Sequence, residues 1–168
     1  MKPLIVHEAV PQSFLDHITE LQIDWKRAQV NYGDTGGVAM IRRCWVERVS
    51  SNTLVEAVVK PLFGYYNNII ETNDKFESQL LLYREQDAGN FDLHQDVFYS
   101  QDEVRKLSMS ILITDDFTGG ELEIMGEVME IQKGDAVIFP SFLPHRVLPV
   151  KTGSRLSLVS WLYGPHWQ

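Results

Sequence analysis

The segment KLSMSILIT, Lys106 to Thr114, alternates. Leu107, Met109, Ile111 and Ile113 fall on one side, and Ser108, Ser110, Leu112 and Thr114 on the other. Successive strand side chains point to opposite faces, so a period of two specifies a β-strand with one deeply apolar face and is incompatible with a helix. Similar pieces recur from Phe76 onward. FESQLLLYR leads through the turn DAGN to FDLHQDVF, and the polar excursion YSQDEVRK precedes the alternating segment. DDFTGG turns the chain into ELEIMGEVMEIQ, which reads as a hairpin broken at Gly126. KGD introduces AVIFP, and KTGS joins HRVLPV to RLSLVSWLY. Six to eight short strands punctuated this way predict a sandwich or barrel.

The first 75 residues have another character. Phe14, Leu15, Ile18 and Leu21 have helical spacing within Pro11 to Leu21, and a second helix is expected from the cap at Ser51–Asn52 to about Thr72. NYGDTGGVAM, residues 31–40, reads as a glycine-rich loop, and Ile41 to Val49 as a short strand. With no linker and no repeat, 168 residues suit one α+β domain, with helical support over about 1–75 and a β core over about 76–165. No apolar run reaches the roughly 20 residues of a membrane span, and the N-terminus lacks the pattern of a signal peptide. A net charge of -8 without clustered Lys and Arg argues against nucleic acid and anionic lipid as partners. The single cysteine, Cys44, excludes an intramolecular disulfide, fits a reducing cytoplasm and reads as a small buried residue.

His94 and Asp96 stand two apart inside FDLHQDVF, with Phe91, Leu93 and Val97 expected on the opposite face. On a strand, positions i and i+2 share a face, so the two side chains would converge. H-x-D alone is a weak signal. His145 in IFPSFLPHRVLPV is a second histidine within an apolar strand region, and Arg155 follows ten residues later. Arg155, Ser157, Val159 and Trp161 share one face of RLSLVSWLY, and an arginine inside a β core needs an anionic partner. Two histidines and one carboxylate make the facial triad of non-haem iron(II) oxygenases, which leaves coordination positions open. An arginine fork with a neighbouring hydroxyl suits the far carboxylate of a dicarboxylic co-substrate. One chemistry then accounts for four residues.

These blocks, LLLYREQDAGNFDLHQD, LSMSILITDDFTGGELEI and KGDAVIFPSFLPHRVLPVKTGSRLSLVSW, resemble in their order the iron(II)- and 2-oxoglutarate-dependent dioxygenases. The likeness runs from about Gln79 to Tyr163 and is strongest to the prolyl-4-hydroxylase-like branch that includes the PKHD-type hydroxylases. It implies a double-stranded β-helix, or jelly-roll, core with N-terminal supporting helices. By motif position His94, Asp96 and His145 would be the catalytic metal ligands for Fe(II). Arg155 would bind the 5-carboxylate of 2-oxoglutarate, Tyr83 would line the co-substrate pocket, and Ser157 would add a hydrogen bond. The implied reaction couples oxidative decarboxylation of 2-oxoglutarate by O2 to hydroxylation of a substrate, with ascorbate as a supporting reductant. That substrate would be a peptidyl residue, proline first, or a small molecule.

The chain departs from the pattern at Leu112, where many prolyl hydroxylases carry a tyrosine that helps hold the co-substrate; Ser108, Ser110 or Ser157 could substitute. Asp96 occupies the position that halogenases vacate. Loops 31–37 and 97–106 lie where relatives place substrate-covering segments, and Phe98, Tyr99, Trp45, Arg42 and Arg43 are candidate contacts or ordinary packing. Two rivals stand beside this reading: a cupin-like metal protein without 2-oxoglutarate chemistry, and a non-catalytic binding module. A nucleic-acid demethylase of the same superfamily is disfavoured by charge. His7, His17 and His166 read as surface residues.

Overall fold

The computed structural model describes residues 1–28, 41–66, 70–97 and 102–168. The glycine-rich loop 31–37, together with Phe98, Tyr99 and the rest of 98–101, lies outside the described residues.

Strand β1 (Leu4–Val6) opens the chain and is followed by helix α1 (Gln12–Glu20), which buries Phe14, Leu15 and Ile18. Strands β2 (Lys26–Arg27), β3 (Arg42–Arg43) and β4 (Trp45–Arg48) precede helix α2 (Thr53–Val59). The expected strand Ile41 to Val49 is therefore two strands. The break falls at Cys44, which is 1% exposed, and each half joins a different sheet. Burial pushes the Cys44 thiol above its ordinary pKa, so it behaves as a small apolar residue there.

The second expected helix begins where its cap predicts. Asn52 Oδ1 accepts from the N–H groups of Leu54 and Val55, both at 3.1 Å. It does not reach Thr72. The α-helix stops at Val59 and tightens into a 3-10 turn over Lys60–Tyr65, because Pro61 has no N–H to donate and its ring crowds the carbonyl four residues back. Tyr65, within the span of the expected helix, is 65% exposed. Residues 1–75 thus supply sheet strands as well as the two helices.

The β-rich part begins with β5 (Phe76–Arg84), β6 (Asn90–His94) and β7 (Val104–Leu112). Next come β8 (Phe117–Gly119) and the hairpin β9 (Leu122–Ile124) with β10 (Glu127–Val128). Strands β11 (Ala136–Pro140), β12 (His145–Val147) and the long β13 (Val150–Gly164) complete the chain. An eight-stranded sheet runs β1-β11-β7-β13-β5-β4-β2, with β8 paired to β13, and a five-stranded sheet runs β10-β9-β12-β6-β3. All pairs are antiparallel. Two facing antiparallel sheets with helices on one outer side form the jelly-roll of an α+β domain.

Alternation decides what goes where. Leu107, Met109, Ile111, Leu156, Leu158 and Leu80 pack under Phe14, Ile18, Val55, Val59 and Phe63 of the helical layer. Burying each such side chain contributes about 1.5–3 kcal/mol. Leu81, Tyr83, Val137 and Phe139 of the larger sheet face Leu122, Ile124 and Val147 of the smaller one. The polar positions Ser108, Arg155, Ser157 and Trp161 take the same inward direction, so one face of β7 and β13 carries chemistry between the sheets. Among the described residues no helix is long and apolar enough to cross a membrane.

Candidate metal centre and anion pocket

His94 ends β6 and His145 begins β12, directly opposite each other in an antiparallel pair. Their rings lie 4.2 Å apart, centroid to centroid. Asp96 joins them, but not from the strand. The strand stops at His94, and the chain crosses toward the larger sheet, where the Asp96 N–H donates to the Ser141 carbonyl at 2.9 Å. The expected i, i+2 strand face is replaced by a strand end and a bend. Nor do Phe91 and Leu93 share an apolar face: the register slips between β12 and β6, Phe91 stacks on His94 at 3.6 Å and Leu93 is 57% exposed.

The three side chains offer ligand atoms that all lie within 4.8 Å of one another. Each histidine points Nε2 at the carboxylate, at 3.5 Å from Oδ1 for His94 and 3.5 Å from Oδ2 for His145. Each Nδ1 meets a main-chain carbonyl two residues back, Asp92 at 2.7 Å and Leu143 at 2.9 Å. A carbonyl only accepts, so each Nδ1 carries a proton and Nε2 is the nitrogen turned toward the centre, where it can serve as a metal ligand. Burial holds His145 below its ordinary pKa against the pull of Asp96, which keeps it a neutral ligand. Burial alone would raise the Asp96 pKa, but His145, His94 and Arg105 outweigh it and hold the group well below the usual carboxylate range. Two imidazoles with Nε2 turned inward and a carboxylate held in its ionised form, all nearly buried, are a donor set that fits a divalent first-row metal.

The carboxylate is itself held. Ser108 Oγ donates to Oδ2 at 2.7 Å and Trp161 Nε1 at 2.9 Å. Ser108, a candidate substitute for the missing tyrosine, is instead spent on Asp96, and Trp161 is a site residue to which the sequence assigns no role. The inward parity that Trp161 shares with Arg155 was the available signal. Phe139 closes the other side of His145, edge-on at 4.8 Å.

Further along the same inward face, Arg155 is 2% exposed. Its Nη1 donates to Ser157 Oγ at 3.0 Å, and its guanidinium sits 5.6 Å from the ring of Tyr83, its register partner on β5. Among the described residues no carboxylate lies within ion-pair distance of it. Burial depresses the Arg155 pKa, while the Tyr83 hydroxyl is pushed up by burial and stays a neutral donor. Room for the arginine comes from Gly120, at φ +64, where a Cβ would lie 3.1 Å from Arg155 Cδ and 2.9 Å from Val150 Cγ2. Leu112 is buried opposite Ser157, so no hydroxyl replaces the tyrosine there. With Ser108 given to Asp96 and Ser157 to Arg155, Ser110 is the one of the three serines whose side chain makes no hydrogen bond among the described residues.

The remaining candidates sit elsewhere. Trp45 pairs across from Leu82 on the helical side, gives its indole N–H to Asp87 at 2.9 Å and lies between Arg27 and Arg84. It packs and does not face the triad. Arg42 covers Phe91 at 4.7 Å, and Arg43 is exposed. His7 and His166 are exposed, while His17 is half-buried with its Nε2 3.5 Å from Asn52 Nδ2.

The family model for the 2OG-Fe(II) oxygenase superfamily matches residues 78–163. A PKHD-type hydroxylase of Idiomarina loihiensis is 28% identical over 123 residues, covering 70% of this chain and 50% of that protein. The chain spans about half the length of the curated relatives it matches. Among solved structures, the viral collagen prolyl hydroxylase of Paramecium bursaria Chlorella virus-1 superposes with a TM-score of 0.73 at 14% identity, over 98% of this chain and 97% of that one. The Trichoplax adhaerens prolyl hydroxylase, solved with a hypoxia inducible factor peptide fragment, gives 0.71 at 14% identity, over 96% and 83%.

Proposed function

The chain belongs to the 2OG-Fe(II) oxygenase superfamily, and from that premise we propose that it is a hydroxylase whose iron(II) is held by His94, Asp96 and His145 and whose 2-oxoglutarate is anchored by Arg155. One observation carries the reading. A buried, carbonyl-fixed pair of imidazoles and an oriented carboxylate lie between the same two sheets as a buried arginine that meets no carboxylate among the described residues. A buried guanidinium without a counter-ion is costly, and a dicarboxylic co-substrate would supply the missing charge.

The residues divide the work. Asp92 and Leu143 carbonyls keep both Nε2 atoms available. Ser108 and Trp161 occupy Asp96 Oδ2 and leave Oδ1 for the metal. Arg155 grips the far carboxylate by its fork, Ser157 orients that fork, and Tyr83 offers a neutral hydroxyl beside it. Ile124, Leu122, Val147 and Phe139 pack between the sheets as apolar surface that would keep water from the site. Iron(II) bound there would supply the centre at which 2-oxoglutarate and O2 give succinate and CO2 while one oxygen atom enters a substrate C–H bond.

The substrate of this reading is a peptidyl residue such as proline. Its support is the fold shared with solved prolyl hydroxylases, one of them holding a peptide. The test incubates the protein with Fe(II), 2-oxoglutarate and proline-containing peptides and follows succinate release and peptide mass. Iron-dependent succinate with a peptide gaining one oxygen is the expected result. Succinate without peptide oxidation would move the substrate to a small molecule. No consumption of 2-oxoglutarate by metal-loaded protein would favour the cupin-like or binding-module readings.

A further inference from the structure

Glu77, Trp161 and Ser108 form one row across β5, β13 and β7, side by side on the inward face. Two members of that row hold Asp96 Oδ2. The third holds an arginine that lies against the second. Arg105 places its guanidinium 3.7 Å from the Trp161 ring centroid. The same guanidinium donates from Nη2 to Glu77 Oε2 and from Nε to the Tyr163 hydroxyl, both at 3.2 Å. The Tyr163 hydroxyl in turn donates to Glu77. Arg48 stands 4.0 Å from Glu77 on the solvent side.

An arginine this enclosed could simply staple β5 to β7 across β13. Its place on the indole indicates more. A tryptophan on a sheet face turns about two torsions, and its N–H reaches Oδ2 only in one orientation. The planar guanidinium covers the ring, and Glu77 and Tyr163 prevent that cover from swinging away.

We propose that Arg105 is a positioning residue for the metal-binding carboxylate: clamped by Glu77 and Tyr163, it fixes the Trp161 indole so that Nε1–H stays on Asp96 Oδ2 and Oδ1 remains the oxygen presented to the metal. This rests on the reading of His94, Asp96 and His145 as the iron ligands. Position and charge predict opposite signs. A cation close to a metal site repels the metal, so if charge were the main effect, removing it would tighten binding. If positioning is the main effect, removing it loosens binding.

The experiment titrates the metal-free protein with Mn(II), without 2-oxoglutarate, and reads free Mn(II) by electron paramagnetic resonance. Wild type is compared with Trp161→Phe, Arg105→Met, Arg105→Lys and the double variant Trp161→Phe/Arg105→Met. Each single variant should weaken Mn(II) binding about tenfold or more, the scale set by partners that orient a ligand. Lysine should not rescue, since it keeps the charge and loses the planar cover. The double variant should be no weaker than Trp161→Phe alone, because both act through one hydrogen bond. Tighter binding in Arg105→Met, or losses that add in the double variant, overturns the proposal. Should Arg105→Met fail to fold, the 1H–15N resonance of the Trp161 indole decides in Arg105→Lys. Movement and faster solvent exchange support the clamp, and an unchanged resonance sinks it. A wild-type protein that binds no Mn(II) fails the iron reading itself, whereas wild-type binding with unaffected variants fails only this inference.

Discussion

Replacing Arg155 by methionine should leave the ligand-free protein at least as stable as wild type while moving its response to 2-oxoglutarate to far higher concentrations. The residue is 2% exposed, and among the described residues its guanidinium meets one serine hydroxyl and the face of a tyrosine. Exchanging buried charge for an apolar side chain of similar length is often stabilising by about 1–4 kcal/mol. Against this, Ser157 Oγ loses its donor, at a cost of about 1–3 kcal/mol for a buried polar atom left unpaired. The central values nearly cancel and leave a gain of roughly 0.5 kcal/mol, or a rise in Tm of about 1–2 °C for a chain of this size. Wild type in Mn(II) and 2-oxoglutarate at a hundredfold excess over Kd should gain about 2.7 kcal/mol. Calorimetric melts of both proteins, with and without 2-oxoglutarate, provide the comparison. A variant that melts well below wild type and still responds to 2-oxoglutarate would refute the assignment of Arg155 as an anion site.

Three further outcomes follow from the same geometry. His145→Ala should weaken Mn(II) binding, measured by titration, beyond the roughly 10–100-fold cost of losing a partner that merely orients a ligand. Gly120→Ala should cost about 1–3 kcal/mol in melts, because φ is +64, and should also weaken 2-oxoglutarate binding by displacing Arg155. Asp135 anchors β1 by accepting from the N–H of Glu8 and of Gln132, both at 2.9 Å, with His7 Nδ1 at 3.0 Å. Burial alone would raise its pKa, but those donors lower it, so its stabilisation is complete above the unfolded value near 3.9 and is lost as pH falls through the lower folded value. Asp135→Asn should therefore flatten the fall in Tm on the acid side of about pH 5; an unchanged acid limb would contradict this.

Much of this architecture is readable from the chain, and the losses have physical causes. Alternation in β7 and β13 identifies both the helix-side and the inward residues, because a strand exposes its two faces with a fixed period. The same parity brings Arg155, Ser157 and Trp161 together before any coordinates exist. Which sheet a strand joins is set by long-range pairing, so the change of sheet at Cys44 leaves no local mark. Pro61 was a local mark and should end any helix extended past Val59. The two histidines use one device, Nδ1 on the carbonyl two residues back, and that spacing is local enough to be sought in other chains. Asp96 escaped the strand rule because its N–H is taken by Ser141, a partner 45 residues away that no periodicity announces.

The most direct measurement is an anaerobic titration of the metal-free protein with Fe(II) and then 2-oxoglutarate, followed by visible absorption. The account predicts a weak charge-transfer band that requires both components, disappears in His145→Ala and appears only at far higher 2-oxoglutarate in Arg155→Met. Iron binding with no band at any 2-oxoglutarate concentration, or a band indifferent to both substitutions, would contradict it.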